Sequence, residues 1–237
     1  MRSTEGLAGL FISCLLIALA AVPVQAVPFT IKPVGSDADM LLLLQSISFV
    51  AEGRIGDRGG AATFEVDLGQ STAAPATTAQ YAWPNAVAVP FTLGFDPNQN
   101  RVTFTVDGQS LTYSPSGTFT DIFFRTRSYP AGSGIVLDSL VFDGDSVGES
   151  VSAYGPNGLE ILWLSGSTLM DGFQLSGTST MSWSGSAPSQ SQLAYQIKVG
   201  YVEPTGNPDV PEPCTLALAG MVLLGGAATA AFKRRAR

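Results

Sequence analysis

The 237-residue chain contains no histidine, and its two cysteines, Cys14 and Cys214, lie near its ends. Ser-His-Asp and Cys-His catalysis and the histidine-bearing zinc sites each need an imidazole, so all of them are excluded. There is no P-loop, dinucleotide fingerprint or N-glycosylation triplet. Chemistry falls to carboxylates and aromatic rings. Asp143, Asp145 and Glu149 crowd one short stretch, DGDSVGE. Calcium takes oxygen ligands from such loops, and extracellular calcium supports weak sites. The spacing departs from the EF-hand pattern, so the stretch reads first as a solvated turn and second as a calcium loop. Asp37 and Asp39, in Gly35-Ser-Asp-Ala-Asp39, read the same way. Arg54 and Arg58 flank Asp57 in GRIGDRGG, which reads as a surface ion network or turn.

Trp83, Trp163 and Trp183, with Tyr81, Tyr113 and Tyr154, offer faces that stack on pyranose rings. Large aromatics in a β fold are usually core, and their size makes them effective there. Trp163, within Ile161-Leu-Trp-Leu164, reads as interior or half-interior. Trp83, beside Pro84-Asn85 in an expected loop, is the exposed candidate for a glycan contact. Two carboxylates across a cleft serve glycoside hydrolysis. Residues 27–209 hold 17 acidic side chains, so some pair meets any spacing rule. No catalytic residue, cofactor or enzymatic activity is therefore assigned. The same segment holds 7 basic side chains, a formal charge of −10, which repels phosphate backbones and argues against nucleic acid as a partner.

Strands must position these residues. Short runs of Val, Ile, Phe, Thr and Tyr alternate with turn residues, and few stretches show a 3.6-residue period. In RVTFTVDGQSLTY, Arg101 to Tyr113, Val102, Phe104 and Val106 share one face and Thr103 and Thr105 the other. Asp107-Gly108 suits a tight turn with positive φ, so the segment is a hairpin. Residues 90–95 precede it, giving a three-stranded meander. Further strands are expected over 42–50, 62–68, 121–127, 134–142, 159–164, 172–183 and 193–202. A helix starting at Met40 is the minority reading of Met40 to Leu44. Residues 69–80 are expected as an exposed loop. About ten strands at short spacing indicate an all-β fold, two packed antiparallel sheets in a β-sandwich or jelly roll. With no cysteine between the ends, this domain has no internal disulfide.

The two ends differ from the middle. Residues 1–26 carry a basic start, an apolar run and Val24-Gln25-Ala26, which together predict a signal peptide cut between Ala26 and Val27 by signal peptidase. Residues 214–232 are 19 uncharged positions, about 29 Å as a helix, close to the ~30 Å hydrocarbon core. Lys233, Arg234, Arg235 and Arg237 follow and favour the cytoplasmic side, leaving the body of the protein outside. The expected organisation is a signal peptide (1–26), an extracytoplasmic β domain (27–204), a linker (205–209) and a C-terminal element (210–237). That last element is a motif (210–213), a transmembrane helix (214–232) and a basic tail (233–237).

Val210-Pro211-Glu212-Pro213 has two prolines around one glutamate. Both fix φ near −65° and neither continues a helix, so an extended peptide is expected at the membrane edge. Motif, uncharged span and arginine cluster in that order resemble the PEP-CTERM sorting signal of bacterial surface proteins. The resemblance implies recognition of Pro211, Glu212 and Pro213 by an exosortase, a membrane-embedded cysteine transpeptidase, with cleavage at or near Pro213. It implies export across the inner membrane, transient anchoring, and delivery to the cell surface or beyond in a bacterium that makes exopolysaccharide. The middle, over WPNAVAVPFTLGFDPNQNRVTFTVDG (Trp83 to Gly108), is similar in style to secreted β-sandwich domains of the choice-of-anchor kind. The function so implied is a noncatalytic structural or adhesive surface protein. The alternatives are a module binding exopolysaccharide and, less favoured, a carboxylate-dependent glycoside hydrolase.

Overall fold

A computed structural model describes residues 29–56, 64–73, 75–166 and 169–204. In chain order the strands are β1 (Thr30–Val34), β2 (Leu44–Ile55), β3 (Phe64–Gly69), β4 (Thr77–Gln80), β5 (Val87–Asp96), β6 (Arg101–Val106) and β7 (Gln109–Tyr113). They continue as β8 (Asp121–Ser128), β9 (Ser133–Phe142), β10 (Asp145–Ser146), β11 (Val151–Tyr154), β12 (Gly158–Ser165), β13 (Phe173–Trp183) and β14 (Leu193–Val202). One sheet has the order β1-β12-β8-β14-β2-β3-β4; the other runs β10-β9-β13-β5-β6-β7, with β11 also on β9. All of these pairings are antiparallel.

Alternation builds the core. In β6, Val102, Phe104 and Val106 are buried while Arg101, Thr103 and Thr105 are not. The hairpin closes through Asp107 and Gly108 at φ 46° and 82°, a mirror-image turn whose twist matches the strands it joins. The meander of β5, β6 and β7 follows as expected. From the first sheet Phe49, Ala51, Val66, Ile122, Phe124, Leu164, Tyr195 and Ile197 meet Phe91, Leu93, Phe104, Leu137 and Leu175 of the second in one buried apolar cluster. Phe119 locks one end of it, with edge-to-face ring contacts at 5.5 Å to Phe49 and 5.0 Å to Phe95. Such pairs add about 0.5–1.5 kcal/mol beyond area burial.

The strand register sets the ends of the chain. Thr30 pairs with Ser165, Ser165 with Asp121, and Asp121 with Gly200. These four residues form one row across the sheet. The start of β1 and the end of β14 therefore leave from the same end of the fold. β1 opens just past the expected cut after Ala26, and β14 closes just short of the expected linker. Residues 1–28 and 205–237, with the expected signal peptide, linker, motif, span and basic tail, lie outside the described residues. No helix among the described residues is long and apolar enough to cross a membrane.

Three expectations need correction. Residues 37–43 form a helix, α1 (Asp37–Leu43), and β2 begins only at Leu44. Ser36 supplies the N-cap, extended at φ −155°, its Oγ accepting from the Asp39 amide at 3.2 Å. Met40 is the buried contact; it joins Leu44, Phe123, Ile161 and Val202 in a second apolar cluster on the outer face of the first sheet. Burying a side chain of that size stabilises by about 1.5–3 kcal/mol, which fixes a helix too short to persist alone. Second, the expected loop over 69–80 contains β4, which pairs with β3. Third, β1, β10 and β11 were not anticipated. β1 carries Pro33 and is an edge strand, where a missing donor is tolerated.

Candidate functional site

The outer face of the first sheet carries the densest group of charges in the described structure. β2 turns Phe49, Ala51 and Ile55 into the core, so Glu52 and Arg54 project outward. β3 likewise faces Val66 and Leu68 inward and Glu65 and Asp67 outward. Register then assembles two rows. Asp67 pairs with Glu52, Glu52 with Gln196, and Gln196 with Arg125. Beside it run Glu65, Arg54, Ala194 and Arg127. Glu52, Arg54, Glu65, Asp67 and Arg125 are all buried.

Buried charges require partners, and each guanidinium here has one. Arg54 Nη2 lies 2.9 Å from Asp67 Oδ2 and also contacts Glu65 Oε2. Its Nη1 is 3.7 Å from Glu52 Oε2 and donates to Ser191 Oγ at 3.4 Å. Glu52 Oε1 accepts from Gln196 Nε2 at 2.7 Å. Arg125 grips Asp37 of α1 twice, Nε to Oδ1 at 2.5 Å and Nη2 to Oδ2 at 2.7 Å. Arg127 reaches Asp37 Oδ2 at 3.5 Å, and its guanidinium carbon lies 4.2 Å from the centroid of the Tyr129 ring. Arg54, Arg125 and Arg127, with Glu52, Gln196, Ser191 and Thr72, border an open polar hollow of about 220 Å³.

Proton affinities follow these surroundings. The Arg125 hydrogen bonds hold the Asp37 carboxyl below its usual range. Burial pushes the Glu52 carboxyl up, against the Gln196 hydrogen bond and the Arg54 charge. Burial also lowers the Lys198 ammonium, helped by repulsion from Arg125. A raised carboxyl in a hollow is a frequent mark of acid–base chemistry. Here, however, the Glu52 oxygens face Gln196 and Arg54, and the guanidiniums of Arg54, Arg125 and Arg127 are each matched by a carboxylate. The arrangement neutralises charge in place and ties α1, β2, β3, β8 and β14 together. The expected surface network at Arg54 is thus a buried one; Asp57 and Arg58 lie outside the described residues.

Trp83 corrects the glycan expectation. It is only 4% exposed, and its ring meets Tyr81 and Tyr195 edge-to-face at 4.8 and 5.9 Å. Gly53 makes room for this packing: a Cβ there would lie 2.4 Å from Tyr195 Cε1 and 2.7 Å from Trp83 Cζ2. Buried in this way, the indole offers no open platform for a sugar. Trp163 is half-buried as expected, stacked on Phe123 at 5.7 Å with its Nε1 donating to Asp121 Oδ1 at 2.7 Å.

The calcium loop is not assembled either. Asp143 Oδ1 accepts from the Gln174 amide at 2.7 Å, Asp145 stands in β10, and Glu149 borders a separate hollow with Asp138 and Ser146. Among the described residues no group of three or more Asp, Glu, Cys or His side chains is placed to hold a metal ion. Asp37 and Asp39 cap and clamp α1 instead of converging on an ion. The charged network was missed because its members are scattered from residue 37 to residue 196, and only strand register brings them together. The one local sign was charge on alternate positions of β2 and β3.

No protein-family model matches the chain, and no curated protein matches its sequence.

Proposed function

We propose that this is an exported, noncatalytic bacterial surface or matrix protein, a β-sandwich carried outward on a C-terminal sorting element. The observation that carries the reading is the order at the end of the chain: Val210-Pro211-Glu212-Pro213, then 19 uncharged residues, then Lys233, Arg234, Arg235 and Arg237. The span halts the chain in the bilayer, and the basic tip orients it. The proline-flanked Glu212 then stands where a membrane-embedded transpeptidase of the exosortase type can grip it. A peptide whose conformation is restricted beforehand loses less freedom on capture.

The two-sheet fold supports this division of labour. Its charged face is internally neutralised, its best candidate glycan ring is packed in the core, and both ends of the described chain leave from one end. A rigid body held at one end suits a structural or adhesive role. In the native host, Glu212→Ala is expected to leave the full-length protein in the inner membrane. Wild-type processing of that variant in a blot of fractionated cells would refute the sorting role.

A further inference from the structure

Two leucines of α1 stand out of the fold. Leu41 is 60% and Leu42 78% exposed, while Met40 beside them is buried. They belong to the last turn of a helix whose C-cap, Leu44, pairs with Val202, the final residue of β14. The exposed pair therefore sits beside the point where the chain leaves the described fold. Eleven residues, 203–213, separate Val202 from the apolar run at 214. At no more than about 3.3–3.6 Å each they reach at most roughly 40 Å. The same end carries the start of β1. A run at 214–232 held in a bilayer therefore keeps this end, with its two leucines, within roughly 40 Å of the membrane surface.

We propose that Leu41 and Leu42 rest in the lipid interface while the tail anchors the chain, so that the domain stands on the membrane by its α1 end. The proposal rests on the tail-anchored reading above. Two leucines alone bind a bilayer weakly, but a short tether makes the contact intramolecular and raises its effective concentration. The clamp on α1 makes the contact stiff: Asp37 is bound to Arg125 and Met40 is packed on Phe123 and Ile161, so the leucines cannot fold back into the sheet. Standing this way, the domain would hold its exit strand at a fixed height above the motif.

The test uses the full chain, purified from a host without a sorting transpeptidase and placed in phosphatidylcholine vesicles brominated in the upper acyl chain. Leu42→Trp is compared with Val87→Trp. Val87 is 52% exposed and starts β5, eight residues from Phe95, which packs on Phe119 at the exit end. At about 3.4 Å per residue that is roughly 27 Å away along the strand. After subtraction of wild-type emission, the added Trp at 42 should be quenched by brominated lipid and the added Trp at 87 should not. Equal quenching of both, or of neither, in vesicles that carry the protein on flotation would overturn the proposal and leave the anchor reading standing. A blue shift at 42 without lipid quenching would mean that another protein surface, such as a second copy, covers the leucines, and would overturn it too. Failure of the full chain to float with vesicles would defeat the anchor reading and this proposal together.

Discussion

Asp37 and Arg125 form a two-bonded carboxylate–guanidinium pair, at 2.5 and 2.7 Å, that fastens the first turn of α1 to the middle of β8. Asp37 is partly exposed, so the Coulomb gain is screened, and the pair is worth about 1 kcal/mol. Asp37→Asn should lower stability by that amount at neutral pH. The Asp37 carboxyl is held below its ordinary 3.8. Its contribution is therefore complete above 3.8 and fades as pH falls through the lower, folded-state value. Urea midpoints of wild type and variant should differ at pH 7 and converge in the acid range; a constant difference would contradict this.

Arg54 behaves differently because it is buried among Glu52, Glu65 and Asp67. Arg54→Met leaves those carboxylates without their cation and should cost about 3–5 kcal/mol, the usual result of breaking a buried pair from one side. A loss below 1 kcal/mol by chemical denaturation would mean that solvent reaches the network.

Glu52 carries the opposite sign. Burial raises its carboxyl above the ordinary 4.5, so the charged form is the disfavoured one. Its proton-linked stability is full below 4.5 and is lost as pH rises through the raised value. Glu52→Gln keeps an oxygen for Gln196 and removes that dependence. The variant should gain on wild type from pH 4.5 upward until the raised value is passed, and the gap should then level off. A stability gap that does not change with pH would count against the assigned direction.

Trp83 and Gly53 test the packing. Trp83→Ala opens a cavity between Tyr81 and Tyr195 and should cost about 3–5 kcal/mol. Gly53→Ala drives a methyl into the same two rings, with an expected loss of about 1–3 kcal/mol. Thermal melts check both. A Trp83→Ala variant as stable as wild type would return the indole to the surface.

Much of the β architecture was legible, for reasons visible at particular residues. Residues 101–113 alternate cleanly around Asp-Gly, so their hairpin needed no tertiary information. β8, β9, β12, β13 and β14 appeared as apolar runs bounded by turn residues. α1 was obscured because Leu41 to Leu44 is an apolar run of a length that suits either state; Ser36 as N-cap and the docking of Met40 decide it. β4 was hidden because TTAQ has the composition of a loop and becomes a strand only against β3. Trp83 looked exposed because Trp-Pro-Asn reads as a turn, and no local pattern reports that Gly53, 30 positions earlier, leaves space for its ring. The charged network depends on register among four strands and a helix, which periodicity does not encode.

Intact mass of the mature protein from its native host tests the central claim most directly. The proposed sorting predicts a chain that begins at Val27 and ends at or near Pro213, with any attached group visible as added mass. A chain that still runs through Lys233 to Arg237 would contradict it.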